Sequence, residues 1–354
     1  MRVLITGHDG YIGTILTPML VEAGHDVVGL DTLLYADGTF GPQPPRIEAI
    51  HKDLRDVGPD DLDGFDAVLH LAAISNDPVG DLDPEVTYEI NHRASVRLAQ
   101  AAKAAGVSRF VFSSSCSLYG AASSDDVLTE QAAFNPVTPY GRSKVLVEQD
   151  VTGLADTDFS PIFLRNATAY GVSPRLRTDL VVNNLAGHAL IEGNVLIKSD
   201  GTPWRPLVHV EDIARAFAAV LNAPRDAVHN EAFNVGQTSE NYQIREIGDM
   251  VAEAVPGSRI VYAEGAGPDT RSYRVDFSKI AERVPQFQPA WTVPKGVRQV
   301  VEAYTTQRLT AEQFGGPRYS RIGTIKRLQR EGTLGSDLRR LEAPVAQASQ
   351  GTGL

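Results

Sequence analysis

The chain is expected to be an α/β protein, a doubly wound parallel sheet with a smaller, discontinuous lobe toward its C-terminal end. Three observations predict this. Short apolar runs alternate with helical patterns through the first half, a glycine-rich loop joins the first strand to the first helix, and the strand–helix rhythm breaks near Gly171.

In order, the elements read as a strand RVLIT, a helix near Ile12 to Ala23, a strand DVVGLD, and a third short apolar segment before HKDLRD. DAVLHLAA, the helix NHRASVRLAQAAKAAG and the strand RFVFSSS follow. Pro136 and Pro139 precede YGRSKVLVEQDVTGL, a helix, and SPIFLRNATAYG is a strand running into a loop. Beyond it, DLVVNNLAGHALIEG is helical and VLIKSDGTPWRPLVHV is strand and loop. EDIARAFAAVLNA is an amphipathic helix with an acidic start, and EAFNVG is a late core strand.

The composition of the 354 residues narrows the function. Lys and Arg total 33 against 44 for Asp and Glu, a net charge of −11 with no basic cluster, which excludes a nucleic-acid partner. One cysteine, Cys116, allows neither an internal disulfide nor a cysteine-based metal cluster. The opening strand is not a basic-then-apolar leader, and no apolar run approaches the roughly 20 residues of a membrane span. A cytoplasmic protein with no membrane partner is expected. No metal site is expected either, and the lone His209 is read as a packing residue.

TGHDGYIG, residues 6–13, follows a strand and opens a helix. Gly7, Gly10 and Gly13 permit a tight turn and close backbone approach to a pyrophosphate, so the first unit is of the Rossmann, dinucleotide-binding type. The next strand ends at Asp31, whose carboxylate accepts hydrogen bonds from an adenosine ribose and repels a 2′-phosphate. Thr32 and Leu33 supply no cation to reverse that, so the cofactor is NAD and not NADP. Asp53 is placed either to reach the adenine amino group or as a turn aspartate. Residues 1–170 with about 203–236 are assigned to this unit, about 171–202 with 237–340 to the substrate lobe, and 341–354 to a disordered tail.

Tyr140 and Lys144 lie four apart in YGRSK, on one face of a helix. A neighbouring ammonium and an oxidised nicotinamide both favour the phenolate, which makes Tyr140 a base usable near neutrality. A serine about 25 residues upstream at a strand end completes a three-part site.

With TGHDGYIG, HLAAISNDP, Asn91 in INHRAS, SSSCSLYG, YGRSK, LRNATAYG, RPLVHVED and FNVG in this order, the chain resembles the extended short-chain dehydrogenase/reductases. The closer likeness is to their NAD-dependent nucleotide-sugar epimerase/dehydratase group, over about residues 1–300. The resemblance implies Tyr140 as acid/base, Lys144 on the nicotinamide ribose and Ser115 on the sugar hydroxyl. It also implies cofactor contacts from Gly7, Gly10, Tyr11, Ile12, Gly13, Asp31, Asp53, Leu54, Leu71, Ala72, Ala73, Asn91, Ser113, Tyr140 and Lys144. Group members that eliminate water carry Asp-Glu at the two positions after the hydroxyl residue, where this chain has Cys116 and Ser117. Both are counted on the substrate side with Ser115, although strand parity turns Cys116 the other way, as a small buried hydrophobe.

Asn166 and Thr168 in LRNATAYG complete the sugar side, and the likeness implies Asn184 and Arg205 on the diphosphate. Ala266 stands where a second arginine is usual, and Arg271 or Arg274 substitutes. The expected activity is an NAD-dependent nucleotide-sugar 4-epimerase acting through a transient 4-keto sugar. A 4-ketosugar reductase or a dehydratase of the same fold is the alternative, and an NAD-sensing protein a distant one. A homodimer is expected through the two helices NHRASVRLAQAAKAAG and YGRSKVLVEQDVTGL, each with an apolar stripe.

Overall fold

The computed structural model describes residues 1–120, 127–267 and 272–341. Seven parallel strands form the large sheet, in the spatial order Glu231–Val235, Ser160–Asn166, Arg109–Ser115, Ala67–His70, Arg2–Thr6, Asp26–Asp31, Glu48–His51. The chain begins in the middle, winds outward to one edge and then returns to build the other. The reversal lies between Arg2–Thr6 and Ala67–His70, where strands of such sheets open a crevice at their carboxyl ends.

Alternation along each strand explains why both faces are covered. Val3 and Ile5 enter one core with Leu16 and Leu20 of the helix Gly13–Glu22 and with Ile213 and Phe217 of Val210–Asn222. Leu4 enters the other core, with Leu98 of Ala94–Ala104 and with Val147 and Val151 of Pro139–Thr152. The same split recurs at Val111 against Phe110 and Phe112, as expected of a parallel sheet buried on both sides.

The smaller lobe has its own core, which includes Leu185, Val195, Ile247, Val251, Val297 and Tyr304. One boundary differs from expectation. Trp204–His209, assigned above to the dinucleotide-binding unit, pairs with Thr168–Tyr170 and Asn241–Gln243 in a separate three-stranded sheet. The helix that follows it, Val210–Asn222, packs on the large sheet, and Glu231–Val235 joins that sheet as its edge strand. His209 packs flat on Trp291, with ring centroids 4.0 Å apart, which is the structural role read from the sequence.

Among the described residues no helix is long and apolar enough to cross a membrane. None of their His, Cys, Asp and Glu side chains form a group able to hold a metal ion. The tail from residue 342 lies outside the described residues, as does Arg271.

Candidate active site

A cavity of about 1150 Å³ runs from the carboxyl ends of the central strands into the smaller lobe. That exceeds the usual range for one small ligand, roughly 300–1,000 Å³. Its first part fits a dinucleotide. Gly7 has φ +75°, and a Cβ there would stand 2.8 Å from the Ala72 nitrogen; one on Gly13 would stand 2.2 Å from the Gly7 oxygen. The loop therefore closes on itself with bare backbone facing the cavity, next to the start of Gly13–Glu22.

Asp31 ends its strand with both carboxylate oxygens oriented, accepting from Leu33 N at 2.8 Å and Asp9 N at 3.2 Å. Burial pushes its carboxyl above the ordinary range. Leu33 itself has φ +54°, a strained value that sequence reading does not reveal. Asp53 lines the same end and is clamped by Arg55, through Nε at 2.9 Å and Nη2 at 2.7 Å. Burial raises the Asp53 carboxyl, but the Arg55 contacts outweigh it and hold the group below its usual range. Tyr11, Ile12, Leu54, Leu71, Ala72 and Ala73 line the wall with Gly10.

Asn91 departs from the expectation of a cofactor contact. It sits in a single π-helical turn, is 1% exposed, and lies behind the wall. It accepts from Ile74 N at 2.7 Å and donates to Ile74 O at 2.9 Å. It supports the lining residue Ile74 instead of lining the cavity itself.

At the centre of the cavity stand Tyr140 and Lys144, one helical turn apart on Pro139–Thr152, whose first turn is capped by Thr138. Lys144 is 3% exposed, and its ammonium donates to the Ser113 carbonyl at 2.7 Å and lies 4.5 Å from the Phe112 ring centre. Burial lowers its pKa to about 7, against the opposing charge of Glu148. The Tyr140 phenol is shifted upward, chiefly by burial. A hydrogen bond with Ser115 lowers it, and the charge of Asp77 raises it again. Of the two groups expected to favour the phenolate, the Lys144 ammonium has its Nζ 5.6 Å from the ring centre, and without the oxidised nicotinamide desolvation dominates.

The serine segment divides its tasks by direction. Ser113 lends its carbonyl to Lys144, and its hydroxyl accepts from Asn166 at 3.1 Å. Ser114 points away from the other two and donates to the Glu148 carboxylate, which is itself gripped by Arg165 through Nε at 3.1 Å and Nη2 at 2.6 Å. Arg165 also reaches the Tyr119 hydroxyl at 3.1 Å, and Tyr119 donates to Asn234 at 2.7 Å. A buried polar network thus stands behind the strand end.

Ser115 faces Tyr140 and caps the next turn, accepting from Ser117 N at 3.1 Å. Cys116, counted above on the substrate side, faces the core instead. It is 1% exposed among Leu118, Tyr119 and Leu164, its thiol donates to Arg165 O at 3.1 Å, and burial pushes its pKa far up. Ser117 returns to the cavity, and its Oγ is buried with no hydrogen-bond partner; the same holds for Oδ1 of Asn166.

Thr168, Asn184 and Arg205 line the far part of the cavity with Lys198. Arg274 does not. Its guanidinium lies 5.2 Å from the Trp204 ring centre, outside the cavity wall. Sequence reasoning missed Asn76, Asp77, Arg177 and Asp179, which line the cavity beside Tyr140. Arg177 holds Asp179 through Nε at 3.1 Å and Nη2 at 2.6 Å, and Asn76 donates to Asp179 at 2.8 Å. A signal was present for the first pair, because Asn76 caps a short helix with Asp77-Pro78 in its first turn.

A dinucleotide cradle at the switch point of a parallel sheet, with serine, tyrosine and lysine converging beyond it, defines a short-chain dehydrogenase/reductase of the extended kind. The chain belongs to the NAD dependent epimerase/dehydratase family, whose model matches residues 3–236. It is 32% identical over 320 residues to a UDP-glucose 4-epimerase of Mycolicibacterium smegmatis, covering 86% of this chain and 98% of that one. A UDP-glucose 4-epimerase of Corynebacterium glutamicum is 29% identical over 272 residues, 72% of this chain and 80% of that protein. Among solved structures, MoeE5 in complex with UDP-glucose and NAD superposes with a TM-score of 0.73 at 29% identity, covering 88% of this chain and 100% of that one.

The Glu148–Arg165 pair generates a test of the support behind the serines. Glu148→Ala leaves a buried guanidinium without its counter-charge and the Ser114 hydroxyl without its acceptor, so equilibrium denaturation is expected to show a loss of about 3–5 kcal/mol. A loss under about 1 kcal/mol, the ordinary range of an exposed pair, would show that the network carries little.

Proposed function

We propose that this chain is an NAD-dependent nucleotide-sugar 4-epimerase. The observation that carries the reading is the neutrality of the serine segment. Beside Tyr140 the segment lines the cavity with Ser115 and Ser117, neither of which carries a charge, Asn166 lines it as well, and the only thiol is turned into the core. Inverting one carbinol carbon needs a proton acceptor and a hydride acceptor, whereas eliminating water also needs a carboxyl acid or base near the neighbouring carbons.

NAD supplies, when bound, the acceptor for the C4 hydride and gives the hydride back to the same carbon. Ser115 aligns the C4 hydroxyl, Tyr140 takes its proton and later returns it, and Lys144, fixed by the Ser113 carbonyl, holds the nicotinamide ribose. Ser117 and Asn166, which line the cavity, are assigned to the sugar side. Asn184 and Arg205 are assigned to the diphosphate, a geometry guanidinium suits, and the relatives' named substrate makes a uridine diphosphate hexose the first to try. Asp31 makes the cofactor NAD and not NADP.

One observation favours a second reading. Asp77 lines the cavity near enough to Tyr140 for its charge to bear on the phenol, and a carboxylate there would serve a dehydratase as a base toward a carbon-bound proton. We also assign the chain to the cytoplasm and to a homodimer. The dimer would form through Pro84–Tyr88, Ala94–Ala104 and Pro139–Thr152, which pack side by side and leave Tyr88, Val96 and Leu146 only half-buried in the single chain.

Turnover in D₂O decides between the two chemistries. The epimerase is expected to leave every sugar carbon free of deuterium, Cys116→Ala is expected to stay active, and Tyr140→Phe to lose at least ~100-fold in rate while still binding NAD. Deuterium at C5 in the product NMR spectrum would establish the dehydratase reading. For the assembly, light scattering at micromolar concentration is expected to give twice the 38.2 kDa chain mass, and a monomer would remove the dimer.

A further inference from the structure

The last described stretch of the chain, well beyond the residues the family model matches, does not stay with the smaller lobe. The helix Arg321–Arg330 sets Ile325 and Leu328 against Ile74 and Val79 at the rim of the dinucleotide-binding unit. Arg339 then pairs with Asp56 at 2.6 Å, Arg55 donates to Asp337 O at 2.8 Å, and Arg340 donates to Leu33 O at 2.8 Å. These contacts join the segment to the residues just after Asp31 and Asp53, and its Ile325 and Leu338 line the cavity with them.

Arg321 is the residue this segment delivers inside. It lines the cavity and is only 5% exposed. Its guanidinium stacks 4.0 Å from the Tyr35 ring centre, and Nη2 donates to Arg175 O at 3.0 Å. Arg175 in turn grips Asp9 of the glycine loop, with Nε 3.0 Å from its carboxylate. The neighbouring carboxylates are taken, Asp9 by Arg175 and Asp179 by Arg177, and among the described residues Arg321 forms no ion pair. A guanidinium carries five N–H donors, and burying it without a counter-charge is costly unless an anion arrives. Burial in fact lowers its pKa to about 10.

We propose that Arg321 is a ligand for a diphosphate ester, namely the diphosphate of the bound dinucleotide, supplied to the site by the C-terminal segment. The inference rests on the NAD reading above and adds a cofactor-binding residue from outside the matched region. The glycine loop meets the diphosphate with backbone N–H groups on one side, and Arg321, held against the residue that fixes that loop, brings a charge from the open side. The nucleotide sugar carries the same chemistry, so the test must separate the two sources.

The experiment compares wild type, Arg321→Met and Arg321→Lys by thermal unfolding without ligand, with NAD and with UDP, alongside calorimetric titration of NAD. A wild-type chain that does not bind NAD would defeat the NAD reading itself, whereas the variants address Arg321 alone. Without ligand, Arg321→Met is expected to melt no lower than wild type, because it removes an uncompensated buried charge. Its Kd for NAD is expected to rise at least tenfold, with Arg321→Lys in between and the UDP-induced shift unchanged. An unchanged Kd for NAD would overturn the proposal. So would a lost UDP shift with NAD binding intact, which would give Arg321 to the substrate's diphosphate. A ligand-free Arg321→Met that melts several degrees lower, or does not fold, would make Arg321 a strut and overturn it as well; Arg321→Lys would then be expected to bind NAD as wild type does.

Discussion

Burial of a phenol and an ammonium side by side, at the carboxyl edge of the strand Arg109–Ser115, is the constraint the rest of this molecule answers to. Water would stabilise the charged form of either group, and neither has it. Lys144 gets one carbonyl, from Ser113, and the face of Phe112. Tyr140 gets one hydroxyl, from Ser115. Both partners come from the same strand end, so the position of that end sets the geometry of the whole site. The Ser114–Glu148–Arg165 network anchors it from behind, where Arg165 reaches across to Tyr119 and the Glu130 carbonyl.

This arrangement explains why so many small hydroxyls stand in one short segment. A strand end turns alternate residues to opposite sides, and each serine here meets a different demand. One contributes its backbone oxygen, one reaches the buried carboxylate, one faces the tyrosine and one is left for the ligand. Larger side chains would fill the cavity or break the network. The smaller lobe closes the far end with residues from Thr168–Tyr170 and Val181–Glu192, and Tyr11 ties the two lobes by donating to Gly171 O at 2.8 Å.

Much of this was legible in the sequence because it depends on short-range pattern. Alternation of strands and helices, the glycine loop, Asp31 at a strand end and the Tyr140–Lys144 spacing are all local, and the sheet order and cavity lining agree with them. What was not legible depends on long-range approach. Asn91 lies in a motif that suggests a cofactor contact, yet a π-helical turn sets it behind Ile74. Arg177 and Asp179 carry no local motif and meet Tyr140 only in the assembled fold, and Arg321 comes from a segment that gives no sign of crossing to the other lobe. The burial of Tyr140 was not legible for a related reason. The lysine is visible in the spacing, but the degree of burial is a property of the assembled fold.

The central claim is therefore that burial keeps Tyr140 a neutral phenol until oxidised cofactor is present. NMR of protein labelled at the tyrosine ring Cζ, assigned with Tyr140→Phe and titrated with and without NAD, measures this directly. In the cofactor-free protein Tyr140 is predicted to titrate above the ordinary phenol value near 10, and with NAD bound its pKa is predicted to fall. A cofactor-free Tyr140 that ionises below that value would contradict the account, because Lys144 alone would then suffice to make the base.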